Sequence, residues 1–117
     1  MDSADGVYIA DYYNHRVLFF QKPSTSAIRV YGQGQVFNTD TAKKGGVSAN
    51  SLSYPEGIAV SSSGVVYISD SSNHRVLIFG TVGGTTATAV IGQVRPTAQC
   101  TAAHAVYVCS FAVYYYK

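Results

Sequence analysis

Charged residues are scarce in this chain of 117 residues. Eight Lys and Arg and six Asp and Glu make up 12% of the sequence, against about 25% in typical globular domains. The net charge is +2, and Lys43–Lys44 is the one adjacent basic pair. Proteins that bind nucleic acid cluster Lys and Arg on one face to neutralise phosphates. Nucleic acid is therefore not an expected partner.

Long hydrophobic runs are missing as well. No apolar stretch approaches the roughly 20 residues that a membrane-spanning helix requires, so no membrane span is predicted. The opening residues, MDSADGVYIADYY, show neither the basic start nor the apolar core of a signal peptide. If the protein is secreted, its signal peptide would therefore have to lie upstream of these residues.

Cysteine is rare, with Cys100 and Cys109 the two examples. Their spacing is not a zinc-binding pattern, and two ligands do not complete a structural zinc site. Two free buried thiols are favoured over a disulfide across a hairpin, which would need an oxidising compartment. No metal and no other cofactor is predicted.

One stretch of the chain occurs twice, as GVYIADYYNHRVLFF at residues 6–20 and GVVYISDSSNHRVLIF at residues 64–79. Asp11 and Asp70 are 59 positions apart, whereas Val30 and Val90 are 60 apart, because one residue is added in the Gly-rich stretch after the second copy. Tyr, Val, Ser and Thr are abundant, which is typical of β-structure. A tandem repeat of this kind indicates a solenoid, a propeller or an array.

Each repeat predicts a meander of short antiparallel strands. In the second copy they are Ile58 to Val60, VVYISD, HRVLIF and TATAVIGQ, separated by short turns. The strand RVLIF is apolar on both faces and must be covered on both sides. Neighbouring meanders packed face to face provide that cover, as propeller blades do. The predicted fold is all-β, with antiparallel four-stranded meanders arranged as β-propeller blades, about two blades in an incomplete ring.

The segment LSYPEGIAVSSSGVVYISDSSNHRVLIF, residues 52–79, resembles the NHL-repeat family. It shares the Pro-x-Gly-hydrophobic start, a Gly before the second strand, the Asp-x-x-Asn turn and the Arg-hydrophobic third strand. The connection at residues 34–55 is similar to the long inter-blade loops of many bacterial NHL proteins. The resemblance extends from residue 2 to about residue 93 and implies a β-propeller, commonly six-bladed. Together with the low charge and abundant Ser, Thr and Gly, it favours an extracellular or cell-envelope location.

The repeat divides the chain into four parts. These are a partial blade without its first strand (1–33), an inter-blade loop (34–54), a complete blade (55–93) and a divergent tail (94–117). The tail is either a decayed or partial further blade or a foreign extension. Because two blades cannot close a ring, the favoured interpretation is a fragment of a larger propeller protein. The alternative is a homo-oligomeric ring in which three copies each contribute two blades.

Three residue types recur around the turn between the second and third strands. They are Asp11, Asn14 and Arg16 in the first copy and Asp70, Asn73 and Arg75 in the second. Asn and Asp tolerate positive φ and cap free backbone N–H groups, and Arg can bond a carboxylate or carbonyls with its planar fork. These six residues are predicted to be structural, with Arg able to join one blade to the next.

Other residues in the same turns differ between the two copies. Such variation is expected where a common scaffold positions loop residues that bind different ligands. The residues that differ are Tyr12, Tyr13, Ser71 and Ser72. The predicted function is therefore a non-catalytic binding or interaction scaffold, with these four residues contacting a protein, peptide or glycan.

The alternative function is part of a metal-dependent propeller enzyme, similar to the peptide-amidating lyases or the lactonases. His15 and His74 occupy equivalent positions and could share a metal, but a third ligand would be needed, and the remaining histidine is His104 in the tail. Packing of both imidazoles at a blade edge is the favoured interpretation.

Overall fold

A computed structural model describes residues 6–80 and 82–92 of the chain. Their seven strands form two antiparallel sheets, a three-stranded sheet of order β1-β2-β3 and a four-stranded sheet of order β4-β5-β6-β7. We call these the first blade and the second blade. The strands are β1 (Gly6–Asp11), β2 (Arg16–Gln21), β3 (Arg29–Gly32), β4 (Pro55–Val60), β5 (Val66–Asp70), β6 (Arg75–Phe79) and β7 (Ala89–Ile91). The predicted all-β fold of antiparallel meanders is confirmed. The predictions for Cys100, Cys109 and His104 concern residues outside the described part of the chain.

The turns between the second and third strands of both repeats are short 3-10 helices, Tyr12–Asn14 and Ser71–Asn73. Each ends at a histidine in the left-handed conformation, with φ of 54° at His15 and 53° at His74. The sequence-based assignment of positive φ to Asp or Asn is therefore wrong. The Asp residue precedes the helix with φ near −90°, and Asn lies within it. The chain reverses only after the 3-10 turn is complete, at a residue type that tolerates this conformation.

The first and last strands of the second blade differ from prediction. Strand β4 begins at Pro55 rather than Ile58, with a register shift between the two. The Gly57 N–H in this irregular stretch donates to Oγ of Ser69 at 2.6 Å. Strand β7 is shorter than predicted, at Ala89–Ile91. The Thr88 N–H still donates to the carbonyl of Ile78 in β6 at 2.7 Å, but the Ala87 N–H donates to the carbonyl of Ala49 in the inter-blade connection at 3.0 Å. The backbone therefore joins the sheet only after Ala87.

The hydrophobic core lies between the two blades. Both sheets contribute alternate side chains from their strands, because successive residues of a strand point to opposite faces. Tyr31 of the first blade contacts Phe79 of the second edge to face, with ring centroids 4.8 Å apart, a favourable aromatic geometry. The buried cluster consists of Val17, Phe19, Tyr31, Leu52, Val66, Ile68, Leu77, Phe79 and Ala87.

The connection between the blades is tied to itself and to the core. Leu52 is fully buried in the core, and its carbonyl accepts the N–H of Lys43 at 3.0 Å. The Gly34 N–H donates to the carbonyl of Asn50 at 3.0 Å. These bonds fold the connection back on itself, so that its end enters β4 beside the turn of the first blade. Among the described residues there is no helix of the length and apolarity required to span a membrane.

Candidate binding face at the turn end of the blades

A hydrogen-bonded cluster of Asp, Asn and Arg forms at the turn of each blade. In the second blade, Arg75 Nε and Asn73 Nδ2 both donate to Oδ2 of Asp70, at 2.6 and 2.8 Å. Oδ1 of Asp70 accepts the backbone N–H of Ser53 at 2.6 Å. The Asp70–Arg75 ion pair is fully buried, and its carboxylate is satisfied by three donors, as burial of a charge requires.

The equivalent cluster in the first blade is more exposed. Arg16 Nε donates to Oδ2 of Asp11 at 2.7 Å, and Asn14 Nδ2 donates to Oδ1 of Asp11 at 2.7 Å. The Arg16 and Asp11 side chains remain 20% and 24% exposed. The same sequence therefore builds the same ion pair at both turns, but only the second is removed from solvent.

Both arginines also bond the inter-blade connection. The Nη2 atom of Arg75 donates to the carbonyls of Ser48 and Ser51 at 2.8 and 2.9 Å. Arg16 donates through Nη1 to the carbonyl of Phe37. Residue 37 lies near the start of the connection and residues 48–51 near its end. The two arginines thus hold the connection from opposite ends, and they join the blades through it.

An aromatic group lies at the turn of the first blade. The Tyr12 ring contacts the rings of Tyr13 and Tyr54, with centroids 5.0 Å apart in each pair. Tyr54 also meets the imidazole of His15 edge to face at 4.3 Å. Tyr13 is 81% exposed and Tyr12 36% exposed. We call these three residues, Tyr12, Tyr13 and Tyr54, the tyrosine platform. The platform exposes aromatic surface to solvent, and the ring of Tyr54 beneath it packs on His15.

The turn of the second blade reaches the same region. The Ser72 N–H donates to the carbonyl of Ser53 at 3.1 Å, the residue that precedes Tyr54. Ser72 is exposed, and Ser71 is partly buried. The two turns therefore lie at one end of the blades and are bridged by Ser53 and Tyr54. The four predicted binding residues, Tyr12, Tyr13, Ser71 and Ser72, lie at this common end.

Sequence reasoning missed Tyr54, which completes the platform. It lies at the end of the connection with φ of 52°, and its backbone N–H donates to Nδ1 of His15 at 3.1 Å. No counterpart of Tyr54 precedes the first repeat within the sequence, so repetition gave no signal for it.

Gln33, which directly follows strand β3, is a second residue that sequence reasoning missed. Its side chain is fully buried. The amide Nε2 donates to the carbonyls of Asn14, His15 and Thr41 at 3.1, 3.2 and 2.7 Å. Its Oε1 accepts from Thr39 Oγ1 and from the Thr41 N–H, each at 3.0 Å. Gln33 joins the turn to the connection, and the recurrence of Gly-Gln at residues 92–93 was the available signal.

The two equivalent histidines have different surroundings. His15 is buried at 7% exposure, with its Nδ1 engaged by Tyr54, whereas His74 is exposed. Within residues 6–80 and 82–92, no group of three or more His, Cys, Asp or Glu side chains is arranged to hold a metal ion.

Two successive meanders packed face to face define the described chain as β-propeller blades, and these residues do not close a ring. The NHL repeat model matches residues 52–79. The matched segment comprises the end of the connection and the first three strands of the second blade. No curated protein gives a significant match to the chain.

Proposed function

We propose that this chain is a non-catalytic binding scaffold that holds a protein or peptide segment at the turn end of its blades. The ligand contacts the tyrosine platform, and the hydroxyl groups of Ser71 and Ser72 border it. The observation that supports this proposal best is the exposure of Tyr13 and Tyr12 above the packed ring of Tyr54.

The chemistry of the face suits a polypeptide. Tyrosine is enriched at interface hot spots because a large, stiff ring buries much area and retains a polar hydroxyl. Here the rings of Tyr12 and Tyr54 are held by mutual packing and by His15, so little ordering entropy is lost on binding. Lysine and arginine do not belong to the platform, so nucleic acid is not proposed as a ligand.

The way in which two candidate groups are used supports the proposal of a non-catalytic role. The imidazole of His15 accepts the N–H of Tyr54 and packs against its ring. The Asp70 carboxylate is saturated by three donors. Structural roles therefore account for His15 and Asp70, two of the groups on which an enzyme of the alternative class would depend. Zinc or calcium bound stoichiometrically to the purified protein would contradict this part of the proposal.

The two blades are proposed to work within a larger propeller rather than alone. Strand β6 is apolar on both faces, whereas the described residues place the first blade on one side of it. Further blades would complete the cover.

A display experiment tests the binding proposal. The immobilised chain is panned against a peptide library and probed in parallel with a glycan array, each at low and high salt. We expect selected peptides whose binding is lost in the Tyr12→Ala/Tyr13→Ala variant. The matched control is Val82→Ala, because Val82 is 73% exposed but lies in the β6–β7 turn at the opposite end. Enrichment on the glycan array alone would assign a sugar ligand, and binding lost equally in the control would contradict this location.

A further inference from the structure

The strands of each blade carry two apolar faces, and the inter-blade core uses one face of each. The first blade contributes Val17, Phe19 and Tyr31, which we call its forward face; all three are at most 1% exposed. The second blade contributes its backward face to the same core. That face consists of Ile68, Leu77 and Phe79, also at most 1% exposed.

The repeat identifies the corresponding faces on the outer sides of the two blades. Residues of β1 and β2 correspond to the residues 59 positions later in β5 and β6, and residues of β3 correspond to the residues 60 positions later in β7. The backward face of the first blade therefore includes Ile9, Leu18 and Phe20, together with Val30, which pairs with Leu18. The forward face of the second blade consists of Val76, Ile78 and Ile91.

These outer faces are apolar and only partly covered by the described residues. Ile9 is 47% exposed, whereas its equivalent Ile68 is 0% exposed. Ile91 is 52% exposed, whereas its equivalent Tyr31 is 1% exposed. The side chains of Leu18, Phe20, Val76 and Ile78 are partly buried, whereas their equivalents in the core are at most 1% exposed. Val30 is the exception, because it is 2% exposed although it lies on an outer face.

We propose that the chain associates head to tail with a second copy of itself, the forward face of one second blade packing on the backward face of the next first blade. The interface would repeat the one inside the chain, with Ile91 in the place of Tyr31 and Phe20 in the place of Phe79. The two outer faces are expected to fit each other because each is equivalent, in the repeat, to one of the two faces that pack together in the inter-blade core.

The contact is heterologous, because the forward and backward faces are different surfaces. Heterologous contacts make a closed ring when the rotation between units closes and an open chain when it does not. Among the described residues, the matching faces already pack on each other inside the chain, so the proposed partner of each outer face is the corresponding face of a second copy.

Sedimentation velocity and light scattering of the full chain over a range of micromolar concentrations test the proposal. We expect the wild type to associate, and Ile9→Asp and Ile91→Asp each to be monomeric, because each buries a charge at one half of the contact. Both positions are about half exposed, so circular dichroism should show folded variants. Val82→Asp is the matched control and should associate like the wild type.

An equimolar mixture of the two variants identifies the contact. Ile9→Asp retains an intact forward face and Ile91→Asp an intact backward face, so the mixture should form a heterodimer and nothing larger. A wild type that is monomeric at every concentration would overturn the proposal. Association of Ile9→Asp alone, or a mixture without heterodimer, would exclude the head-to-tail geometry. Binding of peptides to the tyrosine platform is measured separately and does not depend on this result.

Discussion

His15 accepts the backbone N–H of Tyr54 through Nδ1 at 3.1 Å, which joins the turn of the first blade to the residue that leads into the second. The equivalent histidine, His74, has the same backbone conformation but lies exposed. One residue type at one repeat position thus has two environments, and the difference can be measured.

Replacement of His15 by Gly should destabilise the chain, whereas His74→Gly should not. Glycine relieves the left-handed conformation at both positions. At His15 the part-buried N–H of Tyr54 also loses its acceptor. Since a buried unsatisfied donor costs about 1–3 kcal/mol, we expect a loss at the lower end, about 1 kcal/mol. At His74 we expect a change within about 0.5 kcal/mol. Urea unfolding followed by circular dichroism measures both, and equal losses would mean that the Tyr54 bond contributes little.

The two ion pairs should differ in the same direction. Asp70→Ala leaves the Arg75 guanidinium without its carboxylate in a fully buried position, and breaking a buried pair typically costs about 3–5 kcal/mol. Asp11→Ala removes the equivalent pair where it is partly solvated, and such pairs contribute about 1 kcal/mol or less. The free energy of unfolding from denaturant titration compares the two variants. A larger loss for Asp11→Ala would contradict the assignment of burial.

Much of the fold could be predicted from the sequence because the repeat is a strong constraint. The duplicated strand pattern, with apolar residues on both faces of HRVLIF, required packed meanders, and the positions of the turns followed from it. The start of the last strand was not predictable in this way. Ala87 bonds the connection at Ala49, and no local pattern reports a contact between residues so far apart in the chain.

The candidate site could be predicted only where it belongs to the repeat. Tyr12, Tyr13, Ser71 and Ser72 were found by comparing two copies of one turn. Tyr54 was not, because it belongs to the connection, of which the sequence has one example between the two repeats. The left-handed histidines were missed for another reason: Asn and Asp have the stronger general preference, and the 3-10 turn places them one position or more too early.

Gly32 should tolerate alanine poorly compared with Gly34. Both have positive φ, +83° and +56°, so both substitutions place a side chain in an unfavourable backbone region. At Gly32 a Cβ would also lie 2.9 Å from the carbonyl oxygen of His15 and 3.1 Å from Leu52, whereas at Gly34 nothing lies within 4 Å. Overpacking of this kind adds about 1–3 kcal/mol.

Thermal and urea unfolding compare Gly32→Ala with Gly34→Ala. The backbone cost and the steric cost act in the same direction, because Gly32 has φ 83° and ψ −171°, a region open essentially to glycine alone, whereas Gly34 has φ 56° and ψ 30° in the left-handed region. We expect Gly32→Ala to be the less stable by at least the overpacking cost. Equal stability of the two variants would show that His15 and Leu52 move apart without cost, and the close packing of the turn against the connection would then be weaker than described.

Tyr13 and Tyr54 should separate binding from stability. Tyr13 is 81% exposed, so Tyr13→Ala should change the free energy of unfolding by no more than about 0.5 kcal/mol. Tyr54 packs on Tyr12 and His15, and each such aromatic contact contributes about 0.5–1.5 kcal/mol, so Tyr54→Ala should lower stability as well. For a peptide selected on the wild type, we expect Tyr13→Ala to weaken binding about tenfold or more, the effect of an interface residue that contributes about 1.4 kcal/mol. Fluorescence anisotropy with the labelled peptide measures the affinity, with Val82→Ala as the unaffected control. Unchanged affinity in Tyr13→Ala would place the binding surface elsewhere on the blades.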